Sequence, residues 1–442
     1  MTTTSTQLLE DPSMVASASH SPRHTRRVVI AGAIGTVIEY FDFSVYAFLA
    51  TILAVVFFPA QDPTAGLLYT LGVFGVAFVA RPLGGILIGH ISDRYGRKPA
   101  LATAVIGMAF ASTLIGVLPG YLHIGIAAPI LLFLLRCVQG ISAGGELGSA
   151  GAYVAEVSPD HRRGFLTSTT QVGTMIGTML GSLSVALLHA TLSHEDILAW
   201  GWRIPFLVSL PMGVLALWVR HSMEESQQFE QLEERGAIAR VPALAALRTH
   251  PGAVFKVFGL TLVSFASYYL VFTYLATYFE KQGIMPPGIA AWSTTLTLAL
   301  AAVAVPVWGL VCDRIGRRPL LIGVCVANLL LAYPLFLLMQ TSVAGAVVGQ
   351  VLLGQIEAAY LGVILAAYCE MFPARVRSSG LSLGYNLSAI AAGGSAPYLA
   401  TLLISITGNP LAPSWILICT ALLSLLVACT VRETANRPMP TL

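Results

Sequence analysis

Two carboxylates, Glu39 and Asp42, sit three residues apart in the stretch IEYFDFSVYAFLA, residues 38–50, where almost every other side chain is apolar. Three residues apart on a helix means one neighbourhood of its surface. Inserting either ion at a bilayer centre costs about 2.5–3.5 kcal/mol, so each must face a cavity or a partner. A desolvated carboxyl can take up and release a proton near neutral pH, and this chemistry makes Asp42 and Glu39 the candidate proton-coupling residues, Asp42 first. The alternative is a permanently paired structural carboxylate. Two buried cations are available as partners. Arg136 stands three residues before Gln139, on one helix face, and its planar fork suits a carboxylate, either a substrate's or that of Glu39 or Asp42. A fixed interhelical lock is the competing reading. Arg81, beside Pro82, offers the same chemistry or anchors a kink.

Further along, Glu357 interrupts an apolar run, with Tyr360 three residues on. Tyr268, Tyr269 and Tyr274, with Tyr385 and Asn386, supply ring faces and hydrogen bonds that would suit a quaternary ammonium, although tyrosines at such spacings also serve packing. Tyr46 and Gln171 complete the candidate substrate contacts. Gln171 belongs to TSTTQVGTMIGTMLGS, where Gly173, Gly177 and Gly181 recur every four residues and point to close helix packing.

These residues need elements to hold them, and the composition says which. Of the 442 residues 56% are apolar and only 10% charged, with a mean hydropathy of +0.78. Ordinary soluble domains carry about a quarter charged residues, so this is a membrane protein. Twelve runs are long enough for helices crossing a ~30 Å hydrocarbon core. They cover residues 28–58, 64–91, 99–118, 124–156, 164–190, 203–220, 253–280, 288–311, 319–340, 342–371, 378–405 and 412–432. Residues 1–27 read as a disordered cytoplasmic tail without a cleavable signal. Residues 28–220 form one six-helix half, 221–252 a polar cytoplasmic linker with room for an amphipathic helix or two, 253–432 the second half and 433–442 a cytoplasmic tail. With both termini inside, 20 of the 24 basic residues face the cytoplasm, Arg203 and Lys281 lie outside, and Arg81 and Arg136 are buried.

The two halves repeat each other. GHISDRYGRKP, residues 89–99, returns as GLVCDRIGRRP, residues 309–319; EVSPDHRRG, from Glu156, returns as EMFPARVRSSG, from Glu370. Two different motifs at matching places mean a duplicated six-helix unit, an architecture that places a transporter's substrate site at the midplane between halves. The charged residues of these loops read as a gate. Asp93 and Arg94 with Arg97, and Asp313 and Arg314 with Arg317, form clusters that Glu156 and Glu370 can join, closing the cytoplasmic side in one state. A purely topogenic role for the same loops is the alternative.

The paired loops resemble the signature of the major facilitator superfamily. ARPLGGILIGHISDRYGRK, RCVQGISAGGELG, AEVSPDHRRGF and WGWRIPF, together with the first span, resemble its bacterial metabolite:proton symporters. VRETANRP and SYYLVFTYLATYF are most similar to the proline/betaine branch. The resemblance implies an all-α fold of twelve transmembrane helices and proton-coupled uptake of a small carboxylate-bearing metabolite, a zwitterion such as proline or betaine first. An organic-acid symporter for oxoglutarate, citrate or a shikimate-like acid is the alternative within the fold, and a non-transporting membrane sensor the alternative outside it. The expected partners are the small-molecule substrate, protons and the lipid bilayer of the bacterial inner membrane, around a functional monomer. No cofactor or metal is expected. Nucleophile/base pairs, phosphate-binding glycine loops and metal-ligand spacings are missing, which argues against an enzyme, and scattered basic residues argue against a nucleic-acid partner.

Overall fold

The computed structural model describes residues 22–440 apart from 96, 145–150, 153, 157, 222–241 and 374–375; its side chains are described from residue 35, apart from 89–90, 92–98, 101, 219–221 and 242–245. In hydrocarbon a backbone must satisfy its own N–H and C=O groups, so each apolar run closes into a helix. Eight helices are long and apolar enough to cross a membrane, and two bent pairs raise the number to ten. The shorter apolar helices Ala102–Val117 and Ala127–Ala143 take the third and fourth places, giving twelve spans among the described residues.

The first span is α1 (Pro22–Phe48) followed by α2 (Ala50–Phe57), bent by 64° at Leu49. The second, third and fourth are α3 (Pro63–Tyr95), α4 (Arg97–Val117) and α5 (Ala127–Ala143). The fifth and sixth are α6 (Arg163–Thr191) and α7 (Arg203–His221). In the second half α8 (Pro251–Tyr269), a π-helical turn at Leu270–Tyr274 and α9 (Leu275–Lys281) make the seventh span. The eighth, ninth and tenth are α10 (Pro287–Ile315), α11 (Arg317–Met339) and α12 (Val343–Cys369). The eleventh joins α13 (Arg377–Ser388) to α14 (Ser395–Thr407) through a π-helical turn at Ala389–Gly393, and α15 (Ala412–Thr430) is the twelfth.

Local sequence sets several of these ends. Pro251, Pro287 and Pro413 occupy first-turn positions, where the missing N–H leaves nothing unsatisfied. Ser342 caps the tenth span by accepting from Gly345 N at 3.0 Å. Gly316, between the eighth and ninth spans, has φ +104°, which a side chain would strain. The fourth run, expected as one helix over 124–156, is helical over Ala127–Ala143, with part of its remainder outside the described residues. Of the linker, 222–241 lies outside the described residues, and Pro242–Thr249 forms a short helix against the eleventh span.

Between the halves the main contact runs from the fifth span to the eighth, and the fifth also packs closely on the first. Glycines permit both approaches. A Cβ on Gly177 would lie 2.3 Å from the Val37 carbonyl, and one on Gly309 2.9 Å from the Gly164 carbonyl.

Candidate functional site

At the middle of the bundle lies a small cavity with room for about one water molecule. Tyr40 of the first span and Gln171 and Thr174 of the fifth line it from one half. The seventh span contributes Thr261, Ser264, Phe265, Tyr268 and Tyr269, and Leu361 and Tyr385 close the far wall. The rings interlock, Phe265 with Tyr385 at 4.7 Å, Tyr268 with Tyr269 at 5.1 Å and Tyr40 with Tyr268 at 5.9 Å between centroids. Tyr40 and Tyr385 bring their hydroxyls to 3.5 Å across the halves, and Tyr268 OH lies 2.5 Å from Thr178 Oγ1. Gln171 Nε2 and the Tyr269 hydroxyl are buried and have no partner among the described residues. A wall of ring faces with unspent donors is suited to a small molecule that is apolar or cationic at one end and polar at the other.

Behind this wall in the first half lie the buried charges. Arg81 Nη2 donates to Glu39 Oε1 at 3.2 Å, and its guanidinium lies 4.6 Å from the Phe43 ring and 4.9 Å from Phe78. Arg136 donates to Gln139 Oε1 at 2.8 Å and stacks 4.3 Å over Tyr46, while Gln139 passes a hydrogen bond to Ser112 at 2.7 Å. Asp42 accepts from Ser209 of the sixth span. Glu39 and Asp42 therefore diverge from one helix to different neighbours, one towards the second span and one towards the sixth.

Of the residues named as substrate contacts, Gln171, Tyr268 and Tyr385 line the cavity. Arg136, Gln139 and Tyr46 lie behind it, and Tyr46 donates to the Thr70 carbonyl at 3.1 Å. Glu357 is fully buried and accepts from the lining Ser264 at 2.6 Å, one side chain removed from the cavity. Tyr360 donates to the Leu260 carbonyl at 2.6 Å, tying the tenth span to the seventh, and Asn386 is half-buried away from the lining. Tyr40, Ser264 and Phe265 were not singled out by type or spacing; a single Ser or Tyr in an apolar run carries no signal until its neighbours are known.

At the end that carries the 309–319 loop, a charged network joins the halves. Glu370 accepts from Arg163 at 2.7 Å and from Arg317 at 3.1 Å, and Arg317 also donates to Asp313 at 2.9 Å. The Asp313 carboxylate accepts Gly164 N at 2.8 Å and Phe165 N at 2.9 Å, so an anion from one half sits on the first turn of a helix from the other. Glu156 pairs with Arg377 at 2.5 Å. Residues 433–440 cross this network. Glu433 caps the ninth span by accepting Arg317 N at 3.0 Å and Arg318 N at 2.9 Å; Thr434 donates to Glu370 at 2.5 Å. The Arg437 and Pro440 carbonyls accept from Arg163 and Arg377. Burial pulls the Glu433 pKa upward, but the backbone N–H groups of Arg317, Ala435, Arg318 and Thr434 outweigh it and hold the carboxyl below its ordinary value. Arg314 is exposed and outside the network, and the side chains of Asp93, Arg94 and Arg97 lie outside the described residues. Arg163 and Arg377 were visible as repeated positions, yet only the fold shows that each bonds a glutamate of the other half.

The opposite end is also closed. Thr51 donates to Glu280 at 3.2 Å, Ser182 to the Ala291 carbonyl at 2.9 Å, and Gly75 meets Gly394 so closely that a Cβ on Gly75 would lie 3.1 Å from its carbonyl. Among the described residues no group of His, Cys, Asp and Glu is arranged to hold a metal.

Comparison with known proteins agrees with this architecture. The family model described as sugar (and other) transporter matches residues 28–240 and 230–441. The chain belongs to that family of the major facilitator superfamily. It is a membrane transporter, with no enzyme among the relatives described next. The proline/betaine transporter of Salmonella typhimurium is 35% identical over 432 residues, covering 94% of this chain and 85% of its own. The glycine betaine/proline/ectoine/pipecolic acid transporter of Dickeya dadantii is 36% identical with 94% and 84% covered; the shikimate transporter of Escherichia coli is 36% identical over 385 residues with 86% and 88% covered. Among solved structures, the partially occluded inward-open xylose transporter of E. coli superposes with a TM-score of 0.75 at 19% identity, covering 94% of this transporter and all of that chain. At that identity the likeness carries the fold alone.

Proposed function

We propose that this transporter takes up a small zwitterion of the proline or betaine kind together with protons. The observation that carries the reading is the cavity between the halves, walled by Tyr40, Phe265, Tyr268, Tyr269 and Tyr385. Ring faces attract an ammonium whether or not it can donate hydrogen bonds, which suits both a secondary amine and a quaternary one. The unspent donors of Gln171 and Tyr269 suit the carboxylate end. Relatives named for proline and betaine over most of this chain's length support the same choice. The chain carries no nucleotide-binding loop, so an ion gradient drives it, with Glu39 and Asp42 as the carboxyls placed to take the proton.

The transporter sits in the bacterial inner membrane as a functional monomer with both termini and the 309–319 loop end facing the cytoplasm, because 20 of its 24 basic residues then lie inside. The loop-end network is the cytoplasmic gate. Purified protein in liposomes under an imposed pH gradient, offered proline, betaine, oxoglutarate, citrate and shikimate, tests the reading. Accumulation of proline or betaine that a protonophore abolishes is expected. Accumulation of shikimate or a dicarboxylate alone would replace the zwitterion with an organic acid, and uptake that follows a sodium gradient would replace the proton.

A further inference from the structure

The seventh span supplies five of the ten residues that line the cavity, and its α-helix gives way to the π-helical turn Leu270–Tyr274 directly after Tyr268 and Tyr269. A π turn closes i→i+5 bonds, here from Leu275 N to the Leu270 carbonyl, and its wider ring opens neighbouring carbonyls to other donors. The Tyr269 carbonyl takes the Thr273 hydroxyl at 2.5 Å, from within the turn. The Val271 carbonyl takes Gln350 Nε2 at 3.1 Å, from the tenth span. At the π turn of the eleventh span the donor to the Ala391 carbonyl is Ser395 of the same chain segment, so such a turn does not require an amide from a neighbour. Gln350 is fully buried and its amide is spent. Besides Val271, Nε2 donates to Thr294 Oγ1 at 2.9 Å, and Oε1 accepts from Ser293 at 2.6 Å, both on the eighth span. With both ends of the amide engaged, its orientation is fixed. Gly354, one helical turn further on the same face, completes the seat, since a Cβ there would lie 2.5 Å from the Thr297 methyl and 3.2 Å from the Phe272 ring. Phe272 in turn meets the Tyr268 ring edge-on at 5.4 Å. The repeat sharpens the observation. Gln350 stands 20 residues before Glu370, as Arg136 stands 20 before Glu156, so a neutral amide is buried where the other half buries a cation.

We infer that Gln350 is a positioning residue for substrate binding, which fixes the π turn of the seventh span and so sets where Tyr268 and Tyr269 present their rings. The inference rests on the reading of the cavity as the substrate site. Gln350 does not line that cavity and acts through the turn. Both flanks of the turn are fastened independently of it. Beyond it, Thr401 donates to the Tyr274 hydroxyl at 3.0 Å and Tyr278 to the Pro410 carbonyl at 2.9 Å. Before the cavity, Tyr360 donates to the Leu260 carbonyl at 2.6 Å and Ser424 to the Gly259 carbonyl at 2.7 Å. A turn that loses its amide donor therefore shifts the stretch between these anchors, and that stretch carries the two tyrosines. The bonds of Gln350 stay within the seventh, eighth and tenth spans of one half, so their loss leaves the contacts between the halves in place. Substrate affinity should fall while the rate of alternation is kept.

The test is the initial rate of uptake into liposomes against concentration, with whichever of the five substrates named above the wild type accumulates. Gln350→Leu removes every bond of the amide at nearly constant volume. Its KM should rise about tenfold, as expected for a buried carbonyl left unpaired, with the maximal rate per folded protein within about twofold of wild type. Two milder variants keep the Val271 bond and serve if Gln350→Leu does not fold. Ser293→Ala frees one end of the amide, and Gly354→Ala presses on Phe272 and through it on Tyr268; each should raise KM about threefold. Ser424→Ala, which loosens the same span away from the rings, is the control, and should lower the melting temperature with KM unchanged. If Gln350→Leu also lowers the melting temperature and leaves KM at the wild-type value, or if KM is unchanged in both milder variants, the amide only holds the fold and the inference is overturned with substrate transport intact. A wild type that accumulates none of the five substrates removes the functional reading, and this inference with it.

Discussion

The molecule keeps buried charges in two places, and they are built differently. At the midplane, Arg81 donates to Glu39 inside one half, and aromatic rings flank its guanidinium. At the loop end, Glu370 alone accepts from Arg163, Arg317 and Thr434, and its bond with Arg163 crosses between the halves. A pair within one half can break or form without parting the two halves. A shared network across two bodies cannot open one bond at a time, since each loss leaves another buried ion short of partners. The first arrangement leaves the contact between the halves untouched, and the second suits a two-state closure.

The largest test of that contrast is Glu370→Gln. Removing the charge that Arg163 and Arg317 share should destabilise the closed loop end by on the order of 3 kcal/mol, roughly a hundredfold in population. Labelling of a cysteine introduced on the cavity side of the network should rise accordingly from the face that carries the 309–319 loop, while Glu39→Gln should leave labelling near the wild-type level. Equal labelling in Glu370→Gln and wild type would reduce the network to packing.

Gly309→Ala should come next. Its Cβ would lie 2.4 Å from Ser168 Oγ and 2.9 Å from the Gly164 carbonyl, forcing the fifth and eighth spans apart at a cost of about 1–3 kcal/mol. Faster opening with unchanged substrate affinity at the midplane is the expected pattern, and a loss of affinity instead would tie the two regions together.

The smallest effect belongs to Glu433→Ala, which removes a helix cap worth about 1 kcal/mol. Its pH signature has a fixed sign. A carboxyl held below its ordinary value of 4.5 contributes stability above that value and loses it as pH falls through the lower one. Gate accessibility attributable to Glu433 should thus be flat around neutral pH and rise only in acid. A change near neutrality would assign the titration to another group.

Much of this was legible before any coordinates. The lengths of the apolar runs indicated twelve spans, because a lipid-embedded backbone has almost no alternative to the helix, but not the break of the first at Leu49. The repeated motifs led to Asp313, Arg317 and Glu370, which meet in the network. The midplane was harder to read. Glu39 and Asp42 looked equivalent on one helix, and only the neighbouring spans separate a carboxylate beside Arg81 from one beside Ser209. Partner choice of this kind depends on helix rotation and on the bend at Leu49, which no local pattern encodes. Tyr360 failed as a cavity residue for the same reason, since its hydroxyl turns to the Leu260 carbonyl.

The crossing of the loop-end network by residues 433–440 has a consequence for biosynthesis. Arg163 emerges early in translation and Arg377 late, but both wait for carbonyls that follow the twelfth span, those of Arg437 and Pro440. Until that segment is made, the loop ends of the inserted spans lack these two bonds. A segment made after all twelve spans therefore acts as a stitch, tying Arg163 of one half and Arg377 of the other through its own backbone.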